Sequence, residues 1–268
     1  MFNNLNSCEF CTGQISFWDN SGSGFVLCDS CGLIYRSPMP SEDELSEMYA
    51  KYYSQENVTN SNTRMVSCDT SVKQQIKYIS SISKPGWRIL DFGAGTGELV
   101  NGLSNNGALV DGIEYSYDAI LEAKNRYGIK LMGTIDELAQ EDKEKYDLIV
   151  AVEVVEHLTN PAETLSLLFR CLKPGGVIYL TTPNVSGLKA RIRKSNWSEA
   201  LKPFHLVLFN FKSLKYILES RGFCSVKYVR FSPLTVTSPI KIIFHRFLQL
   251  LGLYGGLRIL AHKPNMKQ

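Results

Sequence analysis

The sequence predicts an α/β chain: a mostly parallel sheet with helices on both faces, preceded by a small cysteine-stapled module. Three observations lead there. From residue 87 onward, short apolar runs alternate with helical stripes. A glycine-rich turn, Gly93-Ala94-Gly95-Thr96-Gly97, follows the first of those runs. Near the N-terminus, Cys8-x2-Cys11 is repeated as Cys28-x2-Cys31.

The elements follow in chain order. Two Cys-x2-Cys pairs at this separation let four thiolates converge on one Zn²⁺, with Gly32 supplying positive φ after the second pair. Between them, Phe17-Trp18 and Phe25-Val26-Leu27 flank a Gly/Ser-rich tip and read as a hairpin. A module of residues 1–40 buries little apolar surface, so a structural metal suits it. The alternative use of the thiols, two disulfides, goes poorly with a chain lacking a secretion signal. Residues 41–86 read as a helical linker or lid. It starts with a Ser41/Glu44 capping box and a helix carrying Leu45, Met48, Tyr49 and Tyr52, then a polar stretch from Ser54 to Asn62, then a helix over Asp69–Ile82.

Residues 87–268 form the main domain. Strands are expected at Arg88–Phe92, Ala108–Ile113, Ile129–Met132, Tyr146–Val152 and Val177–Thr181. Helices are expected after Gly97, over Tyr117–Tyr127, and from the N-cap pair Asn160-Pro161 to Lys173-Pro-Gly-Gly176, with Asn210–Ser220 later. An insertion, 232–255, carries Ile240, Ile243, Phe244, Phe247, Leu248 and Leu251 at helical spacing.

Composition sets the outer limits. With 44% apolar and 21% charged residues the chain is neither disordered nor a polyelectrolyte. No run approaches the roughly 18 to 20 apolar residues of a membrane span, and MFNNLNSCEF has no signal-peptide pattern, so a cytoplasmic protein is expected. The net charge of +3 hides a division: residues 1–185 hold 14 basic and 24 acidic residues (−10), and residues 186–268 hold 15 and 2 (+13).

A glycine-rich turn between the first strand and helix of an open α/β sheet is where an adenosyl ligand binds. Glu114, with Tyr115 beside it at the end of the second strand, can accept hydrogen bonds from both ribose hydroxyls. A dinucleotide would need Gly-x-Gly-x-x-Gly and a helix N-terminus for its pyrophosphate. Here the spacing is Gly-x-Gly-x-Gly, with Asp91 before it and Glu98 after it. Two carboxylates favour a cationic ligand, and the sulfonium and ammonium of S-adenosylmethionine fit that field.

Residues 88–184 resemble a class I S-adenosylmethionine-dependent methyltransferase, in the order Ile89–Gly97, Glu114, Asp147-Leu-Ile-Val and Leu172–Gly176. The resemblance implies a Rossmann-like sheet of seven strands whose last runs antiparallel, with Phe223–Arg230 and Gly256–Lys263 as the final two. It implies cofactor contacts from Asp91, Gly93, Ala94, Gly95, Gly97, Glu114, Tyr115 and Glu153, with Thr134 and Ile135 beside the adenine.

Glu153-Val-Val-Glu156-His157 resembles the subfamily of ubiquinone-biosynthesis O-methyltransferases and small-RNA 2′-O-methyltransferases. In some of these, two carboxylates, a histidine and a later histidine hold Mg²⁺ beside the acceptor hydroxyl; the later position matches His205. The same residues also suit a metal-free arrangement in which His157 or His205 is the base, or a structural turn. A divalent ion or a placed imidazole raises the alkoxide character of a hydroxyl.

Lys189–Lys194 with Trp197 suits a phosphate next to a sugar or base, and equally a solvated loop. The expected acceptor is a hydroxyl on an anionic small molecule, a nucleotide- or lipid-linked sugar. The alternatives are an RNA 2′-O-methyltransferase, disfavoured by the acidic core, and a non-catalytic cofactor-binding scaffold. The 240–251 helix is expected to pack on the sheet or in a homodimer, with contact to an anionic membrane as the other possibility.

Overall fold

The computed structural model describes residues 7–8, 10–19, 24–41, 43–45, 47–48, 61–139, 143–230 and 238–265, with backbone alone over 61–70 and at 136 and 139. Of the polar stretch Ser54 to Asn62, read as a linker or lid, residues 54–60 lie outside them, as do the helix positions Tyr49 and Tyr52, while Ser61 and Asn62 are helical. Three short strands come first: β1 (Ile15–Phe17), β2 (Phe25–Cys28) and β3 (Ile34–Arg36). A long helix α1 (Ser61–Ile82) leads into the main sheet. There follow β4 (Arg88–Phe92), α2 (Glu98–Asn105), β5 (Leu109–Ile113), α3 (Tyr117–Tyr127), the single turn α4 (Asp136–Ala139) and β6 (Tyr146–Val152). Then come α5 (Pro161–Cys171), β7 (Leu172–Pro183), α6 (Leu188–Arg193), β8 (Val207–Leu208), α7 (Phe211–Ser220), β9 (Cys224–Tyr228), α8 (Pro239–Leu250) and β10 (Gly256–His262).

The large sheet has the order β5-β4-β6-β7-β10-β9. The first four strands are parallel, and β10 runs antiparallel to both its neighbours. Period-two alternation explains the two layers. Leu90, Phe92, Ile149 and Ala151 point to a core shared with α5 and α7, while Ile89, Leu148 and Val150 point to one shared with α1 and α2. These strands are buried on both faces and are therefore nearly continuous apolar runs.

Helix ends follow from local chemistry. Asn160 Oδ1 accepts the Glu163 N–H at 3.1 Å with Pro161 in the first turn, and Asn210 and Ser213 form a reciprocal capping pair. Ser41 and Glu44 make the expected capping box: Ser41 N–H donates to Glu44 Oε2 at 2.7 Å and Glu44 N–H to Ser41 Oγ at 3.3 Å.

Three expectations change. The sheet has six strands among the described residues, not seven, because 129–132 contributes one parallel bridge, Ile113 to Met132. Two backbone hydrogen bonds hold that bridge, and Glu137 Oε1 then captures the Gly133 and Thr134 amides and turns the chain away. Helix α1 starts at Ser61 rather than Asp69, since no Pro or Gly interrupts 61–70. The stripe on α8, expected to pack on the sheet or in a homodimer, does not face the sheet: Ile240, Ile243, Phe244, Phe247 and Leu251 are exposed, as is Leu250 beside them, and Leu248 alone of the stripe is half-buried.

The small sheet has the order β1-β2-β3-β8, so its fourth strand comes from the far end of the chain. Ile34 pairs with Leu208 and Tyr35 with Val207. Arg36 completes the junction: its backbone N–H donates to Leu206 O (2.8 Å), Nε to His205 O (3.1 Å) and Nη2 to Lys202 O (3.1 Å). Its guanidinium also lies 4.5 Å from the Phe25 ring centroid. Trp197, expected beside a phosphate-linked sugar or base or in a solvated loop, is instead 5% exposed in a cluster with Phe25, Ile34 and Leu208. Its apolar ring gains more from that burial than from facing solvent.

Arg36→Ala strips a charged donor from three carbonyls, those of His205, Ala200 and Lys202, and should cost about 1–3 kcal/mol. Urea titration checks this; an unchanged midpoint would show that the strand pairing alone holds the junction.

Candidate active site

The site is built where the strand order switches, at the C-terminal ends of the parallel strands. β4 delivers Asp91 and ends in the turn Gly93–Gly97. Gly93, Gly95 and Gly97 have φ of 81°, 53° and 78°. Gly93 is required twice over, because a Cβ there would lie 2.4 Å from Val154 Cγ2. A Cβ on Gly95 would meet nothing within 4 Å, which marks an open cradle above the turn. The Gly93 and Ala94 amides donate to Ile113 O, tying the turn to the end of β5.

Glu114 follows β5 and spans the turn: Oε2 accepts the Gly95 N–H at 2.8 Å and Oε1 the Ser116 N–H at 2.9 Å. A carboxylate so held keeps unused lone pairs. Asp91 is 2% exposed and its Oδ2 has no hydrogen-bond partner. Burial, then the Glu114 charge, lifts its pKa to about 7. Tyr115 and Thr134 are exposed and Ile135 half-buried on the same rim.

β6 and β7 supply the other half. Their register aligns Val152 with Thr181, and the chain reverses at Glu153 with φ of 55°, a conformation that costs a non-glycine residue about 1–3 kcal/mol. Thr181 compensates: its carbonyl accepts the Glu153 N–H at 3.0 Å, and its Oγ1 donates to Glu153 Oε1 at 2.9 Å. Glu153 is exposed, with protein close around its carboxylate. That enclosure raises its carboxyl pKa against the opposing Thr181 bond.

The 3₁₀ turn Val155–His157 then places Glu156 and His157. Glu156 is buried; Thr182 Oγ1 donates to its Oε2 at 3.0 Å and Oε1 has no hydrogen-bond partner. Burial, then the charge of Glu153, drives its pKa well above the carboxylate range. His157 stacks on Phe204 at 5.3 Å and meets His205 edge-on at 4.8 Å. Burial brings its pKa down to about 4, with the Lys202 charge adding to the effect. His205 is 2% exposed; burial first, then His157 and Lys202, hold it far below the imidazole range. Its Nδ1 has no hydrogen-bond partner and lies 3.7 Å from Glu199 Oε2.

One ligand atom from each of Glu156, His157 and His205 falls within 4.8 Å of the others. Glu153, expected as a fourth ligand, is outside that group and bonded to Thr181. Sequence reasoning missed the supporting residues Thr181, Thr182, Phe204 and Arg36. The polar run Thr181-Thr182-Pro183-Asn184 at the end of an apolar parallel strand was the signal for the first two.

The four module cysteines also converge, with one Sγ of each within 4.8 Å of the others. Cys8 and Cys31 Sγ are 4.0 Å apart and Cys11 and Cys28 Sγ 3.4 Å. No disulfide joins them; a bond needs about 2.05 Å. Tetrahedral thiolates at about 2.3 Å from zinc sit roughly 3.8 Å apart, so these spacings fit the ion. Amides of Phe10 and Cys31 donate to Cys8 and Cys28 sulfur, both at 3.4 Å. The residues after the pairs, Thr12 and Gly32, take φ of 61° and 71°.

Residues 67–228 match the family model described as a methyltransferase domain. The ubiquinone biosynthesis O-methyltransferase of Alkalilimnicola ehrlichii is 34% identical over 106 residues, 37% of this chain and 42% of the relative. That of Dechloromonas aromatica is 32% identical over 111 residues, 39% and 47% of the two chains. The chain thus spans less than half the length of these curated relatives. Among solved structures, an S-adenosylmethionine-dependent methyltransferase from Archaeoglobus fulgidus superposes with a TM-score of 0.56 at 24% identity, covering 72% of this chain and 93% of that one. One from Thermotoga maritima, titled a possible histamine N-methyltransferase, gives 0.58 at 15%, covering 82% and 99%. At these identities the likeness is one of fold.

The raised Asp91 pKa has a stability consequence. Between its ordinary 3.8 and about 7, the folded state holds a proton that the unfolded state has lost. Ligand-free stability should therefore fall as pH rises through that window, by at most about 1.4 kcal/mol per pH unit from this group. Urea midpoints at pH 5 and 7 should differ less in Asp91→Asn; an identical slope would place the dependence elsewhere.

Proposed function

The chain belongs to the methyltransferase-domain family, and from that premise we propose that it moves a methyl group from S-adenosylmethionine to a hydroxyl of an anionic small molecule, a nucleotide- or lipid-linked sugar. One observation carries the reading. The glycine turn with Asp91 and Glu114 opens at the same sheet end as Glu153 and the Glu156, His157 and His205 group.

The residues suit the cofactor. Glu114 is held for the ribose, Asp91 offers an unpartnered carboxylate oxygen beside the turn, and Gly95 leaves room for the ligand to touch the backbone. When bound, the cofactor supplies an electrophilic methyl on a sulfonium. The protein's task is alignment, because displacement is in line and depends on placing the acceptor oxygen opposite the leaving sulfur. A cationic ligand also favours the ionised form of Asp91, offsetting the burial that raises its pKa.

Glu156, His157 and His205 would hold a divalent ion. The unpartnered Glu156 Oε1 and His205 Nδ1 and two neutral imidazoles fit one. Two nitrogens and one oxygen suit a first-row transition ion better than Mg²⁺, which prefers oxygen and keeps its waters. Such an ion supplies Lewis acidity toward the acceptor hydroxyl. Without it, neutral His157 offers a ring nitrogen that can accept a hydrogen bond from the acceptor hydroxyl and orient it, its lowered pKa making it a weak base. Four thiolates leave no open position on the module's zinc, whose role is to hold β2, β3 and, through them, β8.

Labelled-methyl transfer against nucleotide sugars, lipid-linked glycans and RNA should give product with a sugar acceptor and lose it in His205→Ala. Transfer to RNA alone, with affinity falling steeply in salt, would replace this reading. Glu114→Gln should weaken S-adenosylmethionine binding by calorimetry about tenfold to a hundredfold. Metal analysis should find one zinc per chain, absent in Cys8→Ser, and activity that survives chelation would remove the ion from the three-residue group.

A further inference from the structure

A surface helix of a water-soluble chain normally turns its apolar stripe inward; α8 does the reverse. At about 100° per residue, Ile240, Ile243, Phe244, Phe247, Leu250 and Leu251 share one arc, and they are between 51% and 79% exposed. The opposite side faces the protein with Gln249, His245 and the half-buried Ile242, and Leu248 at the edge of the arc is half-buried as well. Gln249 is 3% exposed, and the half-buried His245 ring packs edge-on against Tyr254 at 5.6 Å. Lys241 and Arg246 stand at the two borders of the arc, and Pro239–Leu250 contains no acidic residue.

The helix is fixed in this orientation. Asn184, one residue beyond β7, donates from Nδ2 to the carbonyls of Gly252 and Tyr254 at 3.1 and 2.7 Å, and Leu188 N–H donates to Leu253 O at 2.9 Å. The outward arc is thus a property of the fold rather than of a loosely attached segment.

We propose that α8 docks on an anionic lipid bilayer surface. Its apolar arc sits at the boundary of headgroups and acyl chains, with Lys241 and Arg246 at the phosphate level. The charge pattern selects this occupant. Cations border the apolar arc on both sides, as on helices that lie in a membrane interface. The segment 186–268 is strongly cationic, and its two carboxylates, Glu199 and Glu219, already have lysine partners at 2.6 and 3.6 Å. A second copy docked through the same arc would bring these cations against their own equivalents. The helix lies on the surface and does not cross: no described helix is long and apolar enough to span a membrane.

The test is sedimentation of the full chain with vesicles of phosphatidylcholine, alone or mixed with phosphatidylglycerol, alongside light scattering without lipid. Wild type should partition onto the mixed vesicles and release as salt rises. Phe244→Ser with Phe247→Ser should weaken partitioning about tenfold or more, while Leu109→Ser, equally exposed at the start of β5, should leave it unchanged. Lys241→Glu should weaken the preference for the anionic lipid. Equal binding by wild type and the double variant overturns the proposal. So does a wild-type dimer that the double variant dissolves without any vesicle binding, which would make a second copy the occupant.

Discussion

The parallel register of β6 against β7 is the constraint on which the rest of the site depends. It brings Val152 opposite Thr181, so that the residue after β6 meets both the carbonyl and the hydroxyl of Thr181. Glu153 can then hold a left-handed backbone conformation that would otherwise be costly. The reversal at Glu153 brings Glu156 back under Thr182 and sets His157 against Phe204 and His205. The two threonines are well placed because they sit on a rigid interior strand, where a side-chain position is set by the whole sheet.

Electrostatics divides the molecule into two working regions. Asp91 and Glu156 are buried and carry pKa values raised first by that burial, and the exposed Glu153 has its own raised by the protein around it, in a part of the chain that is already acidic. Desolvation and like charge both disfavour ionisation at this end of the sheet, and a nearby cation would offset the two together. The basic segment supplies the contrasting surface, but not as a single patch. Lys202 acts on the charge of both histidines and pairs with Glu199, whereas Lys241 and Arg246 border an apolar helix face.

The cysteine module is joined to the main domain by more than proximity. β8 is a strand of its sheet, and the same stretch carries His205 and donates Leu206 N–H to Glu156 O at 2.8 Å. A path of backbone hydrogen bonds therefore runs from the thiolate cluster through β3 and Arg36 to the residues around His205. The spacing of the cysteines was legible in the sequence because a metal knuckle is a local motif. The junction was not, since Val207-Leu208 is too short to register as a strand, and Arg36 reads as an ordinary surface cation until its carbonyl partners are in view.

By itself the sequence determined the α/β class, the glycine turn with its acidic neighbours, the convergent cysteines and most helix boundaries. Those features depend on period, cap chemistry and φ preferences that act over a few residues. Tertiary structure decided the remainder. It reduced 129–132 to a single bridge, buried Trp197, left Glu153 with Thr181 while Glu156, His157 and His205 gathered, and turned α8 outward. The physical reason is common to all four. A periodic pattern defines an apolar face but not what covers it, and a ligand motif names donors but not which of them a distant threonine, arginine or aromatic ring will hold.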